Sequence, residues 1–216
     1  MRFRNLIKAH GAVFVAFKFA ERIADVVARI ALRVRTKTLV LSTSYRLIDQ
    51  IRSALSERLE RGAGDLFRAG TEPVKPELLV QRPGIARGAL ADRFRRADAA
   101  VLLATGSFWE GIDFPGDQLE VLVVPRLPFA VPTEPITEGR FERARRLGRD
   151  PFHDVALVDA VLRLKQGVGR LLRTQEDRGV VLLLDQRLQS KAYGVSFLNS
   201  LPRICELVPR LDEVAD

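Results

Sequence analysis

Five short runs of nearly unbroken Val and Leu, at residues 38–42, 77–81, 100–104, 119–124 and 179–184, constrain this chain more than any other feature. Each has the length of a strand and lacks the apolar/polar alternation of a strand with one wet face. Strands covered on both faces of a parallel sheet look like this. Between them, residues 20–33, 45–61, 86–97 and 154–173 repeat apolar residues at helical spacing. Alternating strands and helices predict an α/β fold, a doubly wound and mainly parallel sheet with helices on both faces. Such sheets hold ligands outside the carboxyl ends of their strands, so the loops after Ser42, Ala104 and Val124 are the places to look for chemistry. Five prolines between Pro125 and Pro151 break the rhythm and predict an excursion from the sheet that carries a short charged helix over 134–147.

With 216 residues, 47% of them hydrophobic, the chain can bury a sizeable core. Its 35 Lys and Arg against 27 Asp and Glu give a net charge of +8, the sign expected of a protein that meets phosphates. Solvated helix faces would account for the same excess. Cys205 is the single cysteine, which leaves no thiolate set for a disulfide, a cysteine-ligated zinc site or an iron–sulfur cluster within this chain. The opening residues and AHGAVFVAFKFA look faintly like a leader, but Lys18 interrupts the apolar run. No stretch reaches the ~18 apolar residues of a membrane-spanning helix. The expected setting is the cytoplasm.

Four segments carry chemistry. On the helix 154–173, Gln166, Gly169, Arg170 and Arg173 fall at i, i+3, i+4 and i+7, one stripe, with Val161, Leu164, Val168 and Leu171 opposite. The stripe is either a solvated basic surface or an anion-reading face. A glycine inside a helix costs ~1 kcal/mol against alanine, so Gly169 needs a reason, and clearance for a partner or ligand supplies one. The stretch TGSFWEGIDFPG, 105–116, directly follows a strand and offers glycine backbone, hydroxyls and the carboxylates of Glu110 and Asp113. Phe114 reads as core, and Trp109 as core or a base-stacking ring. In STSY, 42–45, the hydroxyls either cap the next helix or hold a phosphate on its N-terminus. In PRLPF, 125–129, Arg126 leaves a strand end into a proline-stiffened loop.

Together, in this order and spacing, the segments resemble the C-terminal helicase domain of superfamily 2 enzymes of the DinG and XPD type, nearest the bacterial DinG branch. LVLSTSY resembles motif IV, TGSFWEGIDFPG motif V, and QGVGRLLR motif VI with its pattern QxxGRxxR. VVPRLPFAVPTEP resembles the proline-rich RLPF segment of the family, and DRGVVLLLDQRL with YGVSFLNSLP its closing strand and helix. The likeness covers about 37–202. Ser42 stands where the family commonly carries a bulky apolar residue.

The resemblance implies a RecA-like second motor domain, occupying 36–204 between an N-terminal helical segment or linker (1–35) and a C-terminal tail (205–216). It implies that Arg170 and Arg173 act as arginine fingers on ATP, with Gln166 in support. Glu110, Gly111, Asp113 and Gly169 would line the nucleotide side. Ser42, Thr43, Ser44, Thr105, Ser107 and Arg126 would hold single-stranded DNA, with translocation from 5′ to 3′. The chain contains neither GxxxxGK[ST] nor a DEAH-like box. ATP and Mg²⁺ would therefore be held mainly by a first motor domain carrying Walker A and B motifs, and the chain is expected to be inactive without it. The rival reading is a non-catalytic nucleic-acid-binding relic or regulatory module. A third, an unrelated nucleotide-binding α/β protein, lacks the glycine-rich phosphate loop it would need after the first strand.

Overall fold

The computed structural model describes residues 12–15, 20–34, 36–65, 75–108, 114, 118–171, 179–202 and 206–208; for 12–15, 62–65, 107, 170 and 206–208 it describes the backbone alone. Seven strands form one sheet: β1 (Ala12–Val15), β2 (Lys37–Ser42), β3 (Glu77–Val80), β4 (Ala100–Thr105), β5 (Val121–Val124), β6 (Val180–Leu183) and β7 (Glu206–Val208). Their order is β3-β4-β2-β5-β6-β1-β7. Every pairing is parallel. The expected five strands are present, and two more join them. Ala12–Val15 fills the gap between β6 and β7, pairing Ala12 with Val180 and with Glu206. Part of the segment 1–35, for which the sequence suggests only helix or linker, is thus a strand of the sheet.

Helices are α1 (Ala20–Arg33), α2 (Tyr45–Asp65), α3 (Arg87–Arg96), α4 (Pro135–Arg146), α5 (Val158–Leu171), α6 (Arg187–Ser190) and α7 (Gly194–Asn199). Right-handed crossovers tie the direction of travel along the sheet to the face that is covered. Moving one way, β1 to β2 to β3, the chain crosses through α1 and α2. Moving the other way it crosses through α3, α5, α6 and α7. Two cores result. Ile23, Val27, Ile48, Ile51 and Leu55 meet Val40, Val101, Leu103, Val123 and Leu182 on one face. Leu90, Phe94, Leu164, Val168, Leu171 and Phe197 meet Leu39, Leu41, Leu102, Leu122 and Leu183 on the other. Adjacent strand residues go to opposite cores, which is why the strands are apolar at consecutive positions.

The long helix departs from its expected start. It enters through a π turn, Phe152–Leu157, before the regular helix α5 begins. Asp150 caps this entry: its Oδ1 accepts from the Phe152 and His153 backbone N–H at 2.7 and 3.2 Å, and the Asp154 carboxylate accepts from the Asp150 N–H at 2.9 Å. The reciprocal bonds satisfy donors that would otherwise be orphaned at the helix start. α4 lies over 135–146 within the proline-rich excursion, as its charge pattern suggests. Among the described residues no helix is long and apolar enough to cross a membrane.

Gly194 opens α7 where a Cβ would lie 2.0 Å from the Leu188 carbonyl oxygen. That contact is with backbone, so relief requires moving α6 against α7. Gly194→Ala is expected to destabilise the chain by about 1–3 kcal/mol, the usual cost of overpacking, read as a lower urea midpoint. An unchanged midpoint would show that the α6–α7 turn relaxes freely.

Candidate nucleotide and nucleic-acid site

Because the sheet is parallel, β2, β4, β5 and β6 all end at the same edge. The residues that follow them converge there although they are far apart in sequence. A cleft of about 260 Å³ at this edge is lined by Ser42 and Thr43 after β2, Gly106 after β4, Arg126, Pro128 to Val131 and Glu134 after β5, and Arg163 and Gln166 on α5. Four of the predicted site residues, Ser42, Thr43, Arg126 and Gln166, therefore share one cavity.

Their environments differ. Ser42 is 1% exposed, and its hydroxyl donates to the Ser44 carbonyl at 3.2 Å. The Ser44 Oγ accepts from the Leu47 N–H at 3.3 Å, capping α2. Capping and an open loop coexist here: Thr43 and Ser44 stay exposed at the helix N-terminus, where backbone N–H groups and the helix dipole favour anions. The Ser42 hydroxyl thus finds its partner within the loop.

Thr105 ends β4 half-buried and is held by Gln81. The Gln81 Oε1 accepts from the Thr105 N–H at 2.8 Å and from its hydroxyl at 3.1 Å. The Gln81 Nε2 donates to the Tyr45 hydroxyl at 3.3 Å. One amide, 4% exposed, thereby links the first residue of α2 to the last of β4. The sequence gives little sign of Gln81, because its role depends on partners 24 and 36 positions away.

A second polar clamp fixes the loop that carries Arg126. Asp185, after β6, accepts from the Leu127 N–H at 2.8 Å and from the Arg187 guanidinium at 2.6 and 3.0 Å. Arg187 also lies 5.1 Å over the Phe129 ring. Leu127 and Pro128 are buried while Arg126 between Pro125 and Leu127 projects outward. Burial pushes the Asp185 carboxyl up, but the bonds from Arg187 and the Leu127 N–H outweigh it and hold the group below the usual carboxylate range.

Among the described residues, helix α5 packs on the expected side, with Val161 there only half-buried. Leu164 and Val168 are fully buried and Leu171 nearly so, whereas Gln166 is exposed. A Cβ at Gly169 would meet no described heavy atom within 4 Å. Arg163, not singled out in the sequence, joins the cleft one turn before Gln166; its i, i+3 spacing to Gln166 was the available signal. Phe114 is core, edge-on to Phe94 at 5.0 Å between ring centres. Glu110, Gly111, Asp113, Trp109 and Arg173, and the side chains of Ser107 and Arg170, lie outside the described residues.

Two outcomes follow for stability. Asp185 has a depressed carboxyl, so its contribution is present above the unfolded value and lost as pH falls through the folded one. Asp185→Asn should therefore lower neutral-pH stability by about 1–3 kcal/mol in urea melts, with the gap to wild type closing below about pH 3.9. A gap independent of pH would mean that shape rather than charge holds the clamp. Gly169→Ala should raise the urea midpoint, by up to about 1 kcal/mol in stability, since it removes a helix-interior glycine without filling occupied space. A lower midpoint would show that the position is crowded from within the chain.

The chain matches the family of the helicase C-terminal domain over residues 27–204. It is 35% identical over 185 residues to the 3'-5' exonuclease DinG of Bacillus subtilis, covering 86% of this chain and 19% of that protein. It is 46% identical over 161 residues to the ATP-dependent DNA helicase YoaA of Escherichia coli, covering 74% of this chain and 24% of that one. The chain thus spans about a fifth to a quarter of these relatives' length. The fold is shared with an XPD helicase structure, with a TM-score of 0.64 at 16% identity over 93% of this chain and 36% of the other. It is also shared with the C-terminal domain of the DEAD-box protein Dbp5, with a TM-score of 0.56 at 16% identity over 96% and 95%. A RecA-like parallel sheet, the ordered motif segments around its carboxyl edge and a family match over most of the length place this chain in the helicase C-terminal domain family, among the DinG and YoaA relatives.

Proposed function

We propose that the chain works as the second motor domain of an ATP-dependent DNA helicase. It would supply Arg170 and Arg173 as arginine fingers, with Gln166 in support, to ATP and Mg²⁺ held mainly by a first motor domain with Walker A and B motifs. Glu110, Gly111, Asp113 and Gly169 would line the nucleotide side of the joint. The observation that carries this reading is the shared cleft: the hydroxyl loop after β2, the glycine turn after β4, Arg126 and the polar face of α5 meet at one edge.

Phosphoryl transfer spreads negative charge over the phosphate oxygens, and a guanidinium answers it with a planar fork of donors. A finger neither holds Mg²⁺ nor orients water, so the chain alone should not turn over ATP. Single-stranded DNA would cross the other part of the edge. Thr43, Ser44 and Arg126 are exposed for direct phosphate contact. Ser42 and Thr105, whose hydroxyls are engaged inside the edge, would shape that track, and Ser107 would extend it. Contacts of this kind position a strand without reading its bases.

The test uses the chain with a first motor domain from a DinG-type relative. DNA-stimulated phosphate release should appear only in the mixture, and Arg170→Ala and Arg173→Ala should each reduce it by about 10³-fold or more. Lysine at either position should rescue poorly, since a point ammonium cannot reproduce the fork. Both alanine variants should keep the wild-type melt, because helical spacing puts both arginines on the side away from Leu164, Val168 and Leu171. Folded variants that hydrolyse ATP at the wild-type rate would leave a non-catalytic nucleic-acid-binding module as the better reading.

A further inference from the structure

Arg126 has a second side. Beyond it, away from Thr43, a groove of about 670 Å³ runs between the first turn of α1, the start of α2 and the ends of β5 and β6. Its charged lining is Arg22, Arg126, Arg187 and Asp185. Asp185 is committed to Arg187 and to the Leu127 N–H. Arg22 and Arg126 are exposed and make no ion pair among the described residues. The exposed amides of Gln50 and Gln186 add neutral donors, and Pro125 and Leu47 add apolar wall.

The contrast across α1 is informative. Its next-door groove, toward α2, carries Glu21, Asp25 and Glu57 with Arg58 and Arg61, and there the guanidiniums are spent: Arg58 pairs with Asp25 and Arg61 with Glu57. The first turn of α1 therefore presents acid on one side and an unmatched guanidinium on the other. That guanidinium faces the groove Arg126 shares with the cleft. Because α1 follows β1, its N-terminus sits at the carboxyl edge, where the helix dipole adds to the positive field. Arg22 precedes residue 27, where the match to the helicase C-terminal domain begins.

We infer that this groove continues the single-stranded DNA track past Arg126, with Arg22 binding the next backbone phosphate. The inference rests on the reading that Thr43, Ser44 and Arg126 hold the strand. The contact is to phosphate, so it adds affinity and salt dependence without base preference.

The experiment measures anisotropy of a labelled oligothymidylate with the full chain across a salt series. Each phosphate contact on a single strand contributes about 0.7 to the slope of log affinity against log salt. Arg22→Ala should make the slope shallower by about that amount, Arg22→Glu by more, and Arg22→Lys should retain it. Arg29→Ala, an exposed arginine on the same helix outside the groove, should leave it unchanged. The inference falls if Arg22→Ala and Arg22→Glu keep the wild-type slope while Arg126→Ala loses part of it; the first cleft then stands alone. It falls also if Arg29→Ala costs as much as Arg22→Ala, which would mark diffuse charge. If Arg126→Ala too binds as wild type, the reading of the first cleft fails and takes the groove with it.

Discussion

Burial of a parallel sheet on both faces is the constraint from which the rest of this structure follows. Strands β4, β5 and β6 bury consecutive residues into opposite cores, and such strands have no face left for polar chemistry. Polar groups emerge only where strands end. Parallel pairing puts all the carboxyl ends on one edge, and the crossover each connection requires keeps the helices off that edge. Ser42, Thr105, Arg126 and Asp185 come from widely separated parts of the sequence. They meet because each follows, or closes, a strand running the same way.

An edge built from four loops needs something to hold its geometry, and two buried polar groups provide it. Gln81 satisfies both the N–H and hydroxyl of Thr105 and reaches Tyr45. Asp185 satisfies the Leu127 N–H and the Arg187 fork. Left without partners these groups would each be costly, which makes their bonded geometry specific rather than merely favourable. Phe129, stacked near-parallel on Phe152 at 5.8 Å between ring centres and edge-on to Phe197 at 5.7 Å, extends the clamp into the entry of α5. The loop that presents Arg126 and the helix that presents Gln166 are thus parts of one packed unit.

Legibility in the sequence tracks the range of the interactions. The five Val/Leu runs and the amphipathic helices were readable because local periodicity encodes which faces are buried. The division of α5 was readable for the same reason: Leu164, Val168 and Leu171 lie at helical spacing opposite Gln166 and Gly169. Strand β1 was not, because Ala12–Val15 lies in a longer apolar stretch, GAVFVAFKFA, that runs on past its end to Phe17. Its partner Val180 is most of the chain away. β7 has only three residues. The π turn before α5 and the clamps of Gln81 and Asp185 depend on hydrogen bonds that no spacing rule announces. The motif segments were recognisable as segments; which hydroxyl faces inward, Ser42, and which faces out, Thr43, depended on the fold.

The polar face of α5 is the part least explained by the chain's own stability. Everything that packs the helix lies on the opposite side, so Gln166 contributes no burial to the core, and Gly169 costs helix propensity while clearing space that no described atom enters. A helix selected only to cover a sheet would carry alanine or a long polar residue there, with gain in stability and no loss of solubility. The same holds at the neighbouring loop, where Arg126 stands exposed between the buried Pro125 and Leu127 and pairs with no carboxylate among the described residues. Local choices that oppose local stability mark functional positions when the surrounding fold is otherwise consistent. In our reading the explanation for this face is therefore external to the chain. Gly169 costs the helix about 1 kcal/mol against alanine, and in the proposed motor that open position is where the first motor domain would close.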